Sequence, residues 1–478
     1  MGINKIPEGE IVTLEDILAA RDRRVGRIAE FQQKWNCCVV SFTLNIPGPV
    51  KRTGLSVKSF ETGKKEILSA LSRNNAEILD YIYIDEKTGT EAMWAINADA
   101  LEIKKTMTNI EEHHFFGRLF DIDVIEKNGE KISRTEIGQE ERGCFICGKA
   151  GAACARSRTH SIEELTGFTF SLMEEFFENQ HIKYISKNAI KALLYEVCIT
   201  PKPGLVDRAN SGAHSDMDVF TFIDSACSLI NYSENITRIA MKNRDVQPGD
   251  LLGKIRFEGI MAENVMFEAT KGINTHKGLI FSLGIVCAAY GYLYESSNIS
   301  VGYLYESSDM SGGYLYSGSN ISTEKVLETC AAIAQPALAN DFKNLDTSTN
   351  GEILYARHKI RGVRGEAASG FSSVRKYGLP VLESCLSDGL SLNDAGVITL
   401  LNLIANVEDT NIISRSNLET HAQIQENLKK LLAEKLDAKA LINKAIDRDS
   451  EFIRQNISPG GCADLLAVTL MLHFSKGI

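Results

Sequence analysis

Three things are scarce in this chain. Positive charge is not in excess: 52 Lys and Arg stand against 62 Asp and Glu, leaving a net charge of −10. That balance argues against a general nucleic-acid binder. Long apolar runs are missing. The opening residues, MGINKIPEGEIVTLED, hold no apolar core of signal-peptide length, and stretches such as 278–290 are too short and too interrupted to span a bilayer. Paired-cysteine logic is missing as well. Eleven cysteines, an odd number scattered over 478 residues without a secretory signal, read as reduced thiols. The expectation is a cytoplasmic protein with no membrane partner.

What is present is ordinary globular material, 44% hydrophobic and 24% charged, in a chain long enough for two or more cores. Thr13-Leu-Glu-Asp16 has the form of a capping box opening an amphipathic helix. Cys37–Leu44 reads as a buried strand, with further strands over Ile78–Ile84, Ala92–Ala95 and Leu119–Ile125, the last closed by an Asn128-Gly129 turn. Helical periodicity dominates from residue 161 onward, in segments such as Ile162–Phe177, Ser186–Cys198, Leu279–Ala289 and Ile424–Phe452. A polar gap at Glu178–Tyr184 marks a boundary. The reading is an α+β N-terminal domain, residues 1–182, followed by a larger all-α C-terminal domain, residues 183–478. Within the latter, 290–322 carries three near-copies of an eleven-residue unit: YGYLYESSNIS, VGYLYESSDMS and GGYLYSGSNIS. A local tandem duplication lengthening a surface loop accounts for it.

Three polar constellations follow residue 190. In Thr200–Asp218, two prolines and Gly204 and Gly212 frame a loop that crowds together Lys202, Asp207, Arg208, Asn210, His214, Asp216 and Asp218. Gly272–Gly278 places Asn274, Thr275, His276 and Lys277 at the start of an apolar helix, where free N–H groups and the dipole favour a phosphate. Arg357, Lys359, Arg361 and Arg364 fall within eight residues and call for an anion to face. A weaker element, Ser458–Asp464, opens another apolar helix. Each cluster alone is compatible with a solvated surface loop. Three of the nine histidines, His214, His276 and His358, sit inside these glycine-flanked clusters, and together they read as a site for phosphate and metal.

The stretch ALLYEVCITPKPGLVDRANSGA with the HSDMD that follows resembles the triphosphoribosyl-dephospho-CoA synthase family, and the likeness extends over ~186–478 apart from the repeat. The resemblance implies a ribosyl transfer. The 2′-hydroxyl of 3′-dephospho-CoA displaces adenine from C1 of the ATP ribose through an oxocarbenium-like transition state, leaving the triphosphate intact. On that reading Asp207, Asp216 or Asp218 binds Mg²⁺ or acts as base with His214 nearby. Lys202, His276, Lys277, Arg357, Lys359, Arg361 and Arg364 hold phosphates.

In the first half, Asp121 and Asp123 lie on one face of a strand, because side chains alternate with period two. That suits a Mg²⁺ clamp for displacement at a nucleotide phosphorus. Cys144-x₂-Cys147, then Cys154 and His160, allows a tetrahedral zinc site; the single Cys-x₂-Cys and the irregular spacing weigh against one. Arg118, Arg142, Arg156 and Arg158 are candidate anchors for pyrophosphate and nucleotide. With Ser41–Lys51 and Arg21, Arg23 and Arg24, these motifs resemble the apo-citrate lyase phosphoribosyl-dephospho-CoA transferase family over ~10–180. Such enzymes attach the precursor to a serine of the apo acyl-carrier subunit of citrate lyase, displacing pyrophosphate. The rival reading is a helical ADP-ribosyl-type hydrolase or transferase fused to a zinc-bearing interaction module.

Overall fold

A computed structural model describes residues 8–149, 151–295, 321–341 and 350–476. The tandem repeat lies outside the described residues apart from its ends. Residues 1–180 form one compact unit, and 181–294 with 318–478 form another.

The first unit begins with α1 (Leu14–Trp35), opened by the expected capping box: Asp16 N donates to Thr13 Oγ1 at 3.2 Å and Thr13 N to Asp16 Oδ2 at 2.9 Å. Then come β1 (Cys38–Leu44), α2 (Gly54–Arg73), β2 (Glu77–Glu86), β3 (Gly89–Asn97), α3 (Ala100–His113), β4 (Phe120–Ile125) and α4 (Gly151–Ser157). The four strands form one antiparallel sheet in the order β2-β3-β1-β4. Period-two alternation divides its faces. Val40, Phe42, Trp94, Ile122 and Val124 pack with Phe60, Ile67 and Leu71 of α2 and Ile103 and Met107 of α3. Register then sets Ser41 opposite both Met93 and Asp123, and Thr43 opposite both Glu91 and Asp121, so these residues share the other face. The turn after β4 closes as expected, with Gly129 at φ +89° and its N–H donating to Glu126 O at 2.9 Å.

α5 (Ile162–Cys198) is one helix of 37 residues, so the expected gap at 178–184 is helical. Glu, Gln and Lys are good helix formers, and Ile182, Ile185 and Ala189 continue a buried stripe through them. The second unit continues through α6 (Val219–Ser228), α7 (Ile230–Lys242), α8 (Pro248–Ala269), α9 (Lys277–Tyr292), α10 (Thr323–Asp341), α11 (Asn350–His358), α12 (Gly362–Ala368), α13 (Leu379–Ser387), α14 (Leu392–Asn406), α15 (Thr410–Arg415), α16 (Leu418–Ala433), α17 (Ala438–Arg454) and α18 (Gly460–Phe474). The expected single helix over 424–452 is two. Lys435 adopts φ +50°, and Asp437 caps α17 by accepting from Ala440 N at 2.7 Å. α9 and α18 are apolar on nearly every side and form the interior, so their polar N-termini mark where that interior opens. The architecture is α+β followed by all-α, as the sequence implied.

Candidate active sites

In the helical unit a cleft of about 680 Å³ opens at the start of α9 and α18. That is the size of a small-molecule site. It brings together Lys202, His214, His276, Lys359 and Arg361 from the three sequence clusters, and Ser458, Gly461 and Asp464 from the fourth. Asp207, Asp216, Asp218, Lys277, Arg357 and Arg364 are not in its lining.

The 200–218 loop owes its shape to satisfied backbone donors. Asp207, buried, accepts Lys202 N at 2.9 Å on one oxygen and Ala209 N and Asn210 N at 2.6 and 3.1 Å on the other. Asp449 of α17 accepts Gly204 N at 2.9 Å and Asn210 Nδ2 at 2.8 Å. Gly204 has φ +71°, and a Cβ there would meet Ile457 O at 2.1 Å, so glycine is obligatory. Asp218 caps α6, taking Thr221 N at 2.9 Å, while the Asp216 side chain is 60% exposed. One Asp218 oxygen is committed to the helix cap, and Asp216 Oδ1 lies 4.0 Å from Nδ1 of the cleft-lining His214.

Four features of the cleft carry chemistry. Lys202 and Glu196 form a buried ion pair, each side chain under 5% exposed. His276, at the foot of α9, bonds Ser225 Oγ through Nδ1 at 2.6 Å, and its buried Nε2 has no partner among the described residues. Burial, then the nearby Lys202 charge, pushes its pKa down to about 3, so it is neutral. Arg415 Nη2 lies 3.3 Å from His214 Nδ1 and 3.5 Å from Nε2, and Nε2 and Ser458 Oγ share a hydrogen bond of 3.0 Å. Burial, followed by the Arg415 charge, lowers the His214 pKa. Asp464, at the second turn of α18, has no hydrogen bond among the described residues. Burial, with Glu196 and Asp409 adding like charge, holds its carboxyl well above the usual range. Asp409 pins that helix in place, accepting Cys462 N at 2.8 Å and Asn411 N at 2.8 Å.

Sequence reasoning missed Glu196 and Arg415. Glu196 lies inside an apolar helical run, and Arg415 joins the site through tertiary bonds to Ala213 O at 3.0 Å and Asn456 Oδ1 at 3.2 Å as well as to His214. Of the cationic run, Lys359 and Arg361 face the cleft; Arg364 pairs with Glu352 at 3.4 Å. Lys277 is held by Glu263 at 3.1 Å.

In the α+β unit, Asp121 and Asp123 share the sheet face that α1 approaches. Arg24 clasps Glu91 there through two bonds of 2.6 and 3.2 Å, with Arg27 at 3.8 Å, and Arg24 senses the charge of both aspartates. Asp121 is exposed and Asp123 pairs with Lys131 at 2.5 Å. Two carboxylates on one face beside the hydroxyl-bearing Ser41 and Thr43 are hard-oxygen donors, the kind Mg²⁺ takes. Arg118 and Arg142 are committed locally: Arg118 donates to Gly143 O, and Arg142 donates to Phe120 O at 2.7 Å while pairing with buried Glu111. Arg156 and Arg158 are exposed. The Sγ atoms of Cys144, Cys147 and Cys154 and a ring nitrogen of His160 lie within 4.8 Å of one another.

The fold and sites define a two-unit enzyme class, with a helical cleft lined by Lys359, Arg361 and Arg415 in one unit and an acidic sheet face beside arginines in the other. The family model for CitG, ATP:dephospho-CoA triphosphoribosyl transferase, matches residues 182–477, and that for CitX, apo-citrate lyase phosphoribosyl-dephospho-CoA transferase, matches 12–176. Protein CitXG of Haemophilus influenzae is 31% identical over 98% of each chain, and Protein CitXG of Leuconostoc mesenteroides subsp. cremoris is 31% identical over 97% of each. A 2-(5''-triphosphoribosyl)-3'-dephosphocoenzyme-A synthase of Pectobacterium atrosepticum is 37% identical over 63% of this chain and 93% of its own. The chain belongs to the CitXG family of CitX–CitG fusions. It is a bifunctional transferase of citrate lyase prosthetic-group maturation, and the hydrolase reading falls away. No described helix is long and apolar enough to cross a membrane, and all eleven cysteines are unbridged.

Proposed function

We propose that the helical cleft binds ATP with its ribose C1 beside His214 and Asp464, and that dephospho-CoA enters with its 2′-hydroxyl toward His214. The hydroxyl oxygen forms a bond to C1 as the bond from C1 to the adenine nitrogen breaks. His214 takes the hydroxyl proton at Nδ1 once a phosphate draws Arg415 away from that nitrogen. Asp464, whose carboxyl its surroundings hold well above the usual range, donates to a nitrogen of the departing adenine, so the two groups divide acid and base roles by environment. Lys359, Arg361 and Arg415, with the N-terminal N–H groups of α9 and α18, hold the triphosphate without polarising phosphorus for attack. Asp207 and the Lys202–Glu196 pair shape the loop. The observation that carries this reading is Asp464, a half-buried carboxyl with no hydrogen bond among the described residues, facing the cleft from a helix start.

On the α+β unit, the serine oxygen of the apo acyl-carrier subunit attacks the α-phosphorus of the product and pyrophosphate departs. Asp121 and Asp123 would hold Mg²⁺, which would supply charge neutralisation at the transferring phosphoryl group. Arg156 and Arg158 receive pyrophosphate, and Arg24 fixes the acidic face. The reduced thiols are those of a cytoplasmic protein. The test is a single mixture of protein, ATP, dephospho-CoA and apo carrier. Adenine should appear only with dephospho-CoA present, and the carrier mass should rise by the phosphoribosyl-dephospho-CoA group.

A further inference from the structure

We propose that Cys144, Cys147, Cys154 and His160 form a structural zinc site in the α+β unit. Four soft or borderline donors converge, with each ligand atom within 4.8 Å of the others. Zinc–sulfur bonds of about 2.3 Å put tetrahedral ligand atoms about 3.8 Å apart, so metal binding needs a contraction of less than about 1 Å.

The backbone is already folded for this. Residues 144–149 form a tight knuckle in which Gly148 N donates to Cys144 O at 2.8 Å and Cys144 N to Lys149 O at 2.5 Å. Gly148 adopts φ +71°, a conformation that suits glycine directly after the second cysteine. The N–H groups of Ile146 and Cys147 point at Cys144 Sγ, as outer-shell donors do toward a metal-bound thiolate. The third and fourth ligands come from elsewhere in the chain: Cys154 lies on α4, and His160 follows its end. His160 Nε2 is buried with no partner among the described residues, a cost that a metal bond would remove.

Binding exchanges three thiol protons for one Zn²⁺ and involves no redox step. Three thiolates and a neutral imidazole leave the centre one negative charge, and Arg118, whose guanidinium senses Cys144, stands beside it. Four protein ligands close the coordination sphere, so the site is structural rather than catalytic. It fastens the knuckle that follows Arg142 to α4, which bears Arg156, and to the turn that bears Arg158.

The test uses full-length protein purified without chelator under reducing conditions, with metal measured by mass spectrometry. One zinc per chain is expected, and Cys154→Ser should lose it. Cobalt substitution should give thiolate charge-transfer bands and the visible bands of tetrahedral cobalt. His160→Cys should keep the metal and intensify the charge-transfer bands, a change that a purely packing role for His160 would not produce. Protein that holds no zinc and takes up none from one added equivalent overturns the proposal, as does a Cys144→Ser/Cys154→Ser variant that retains it. A further readout rests on the transfer site placed in this unit: chelation should slow carrier modification while sparing adenine release. Failure of that readout alone, with zinc present, counts against the arginine placement and leaves the metal site intact.

Discussion

Asp464 Oδ2 sits over the start of α9, so close to Gly278 that a Cβ built there would lie 2.6 Å from it. The two helix starts that frame the synthase cleft are therefore in contact through a catalytic candidate and a missing side chain. Gly278→Ala should push the Asp464 carboxyl aside and lower synthase kcat about tenfold, roughly 1.4 kcal/mol in the barrier. Asp464→Asn, which removes the proton donor, should cost about 10² to 10⁴-fold. Adenine release measured with saturating substrates checks both; an Asp464→Asn enzyme at wild-type kcat removes the residue from the chemistry.

The buried Lys202–Glu196 pair predicts an asymmetry in stability. Removing one partner of such a pair leaves an uncompensated charge and costs about 3–5 kcal/mol, whereas replacing both with apolar residues of similar size is often neutral. Glu196→Gln and Lys202→Met should each lower the thermal midpoint of the helical unit by several degrees, and Lys202→Met/Glu196→Leu should recover most of it. Additive losses in the double variant would mean that the two side chains act independently.

His214 supplies a pH signature. Burial and then Arg415 lower its pKa, so the neutral, proton-accepting form persists to more acidic pH than for a free histidine. The acid limb of kcat/KM for the synthase reaction should thus lie below the ordinary histidine value of about 6.5. Arg415→Gln removes the nearest cation, raises the His214 pKa and should move that limb upward, whatever it does to the absolute rate. A limb that stays in place in Arg415→Gln would falsify the assignment of His214 as base.

The layout of the fold was readable because its signals are local. The capping box at Thr13 and the alternation in Cys37–Leu44 depend on residues a few positions apart. The errors came where helix continuation competed with polarity. Residues 178–184 look like a break, yet Glu178, Gln180 and Lys183 sustain a helix whose buried stripe runs on through Ile182 and Ile185. In the cleft the sequence marked the loops but not which way each charge would turn. Asp207 stands in the densest polar cluster and faces inward, because three backbone N–H groups of its own loop need an acceptor. Glu196 faces the cleft from a run that reads as apolar helix, and nothing near Arg415 announces its bonds to residues 213 and 456.

Substitutions at Asp121 and Asp123 should separate the two activities. Both lie on the sheet face opposite the hydrophobic core, so an isosteric amide there leaves Val40, Phe42 and Ile122 packed as before. Asp121→Asn and Asp123→Asn should each reduce carrier modification by several kcal/mol of transition-state stabilisation, on the order of 10²-fold or more, because a metal ligand and its charge are lost. Adenine release from ATP should be unchanged, since no residue of the helical cleft is touched. The two variants should differ in one respect. Asp123 also holds Lys131 at 2.5 Å, so Asp123→Asn frees a cation beside the clamp, while Asp121→Asn does not. Added magnesium should therefore rescue Asp121→Asn in part and Asp123→Asn less. The measurement is carrier mass against time with ready-made precursor, at several magnesium concentrations. Wild-type transfer in both variants would put the clamp elsewhere on the unit.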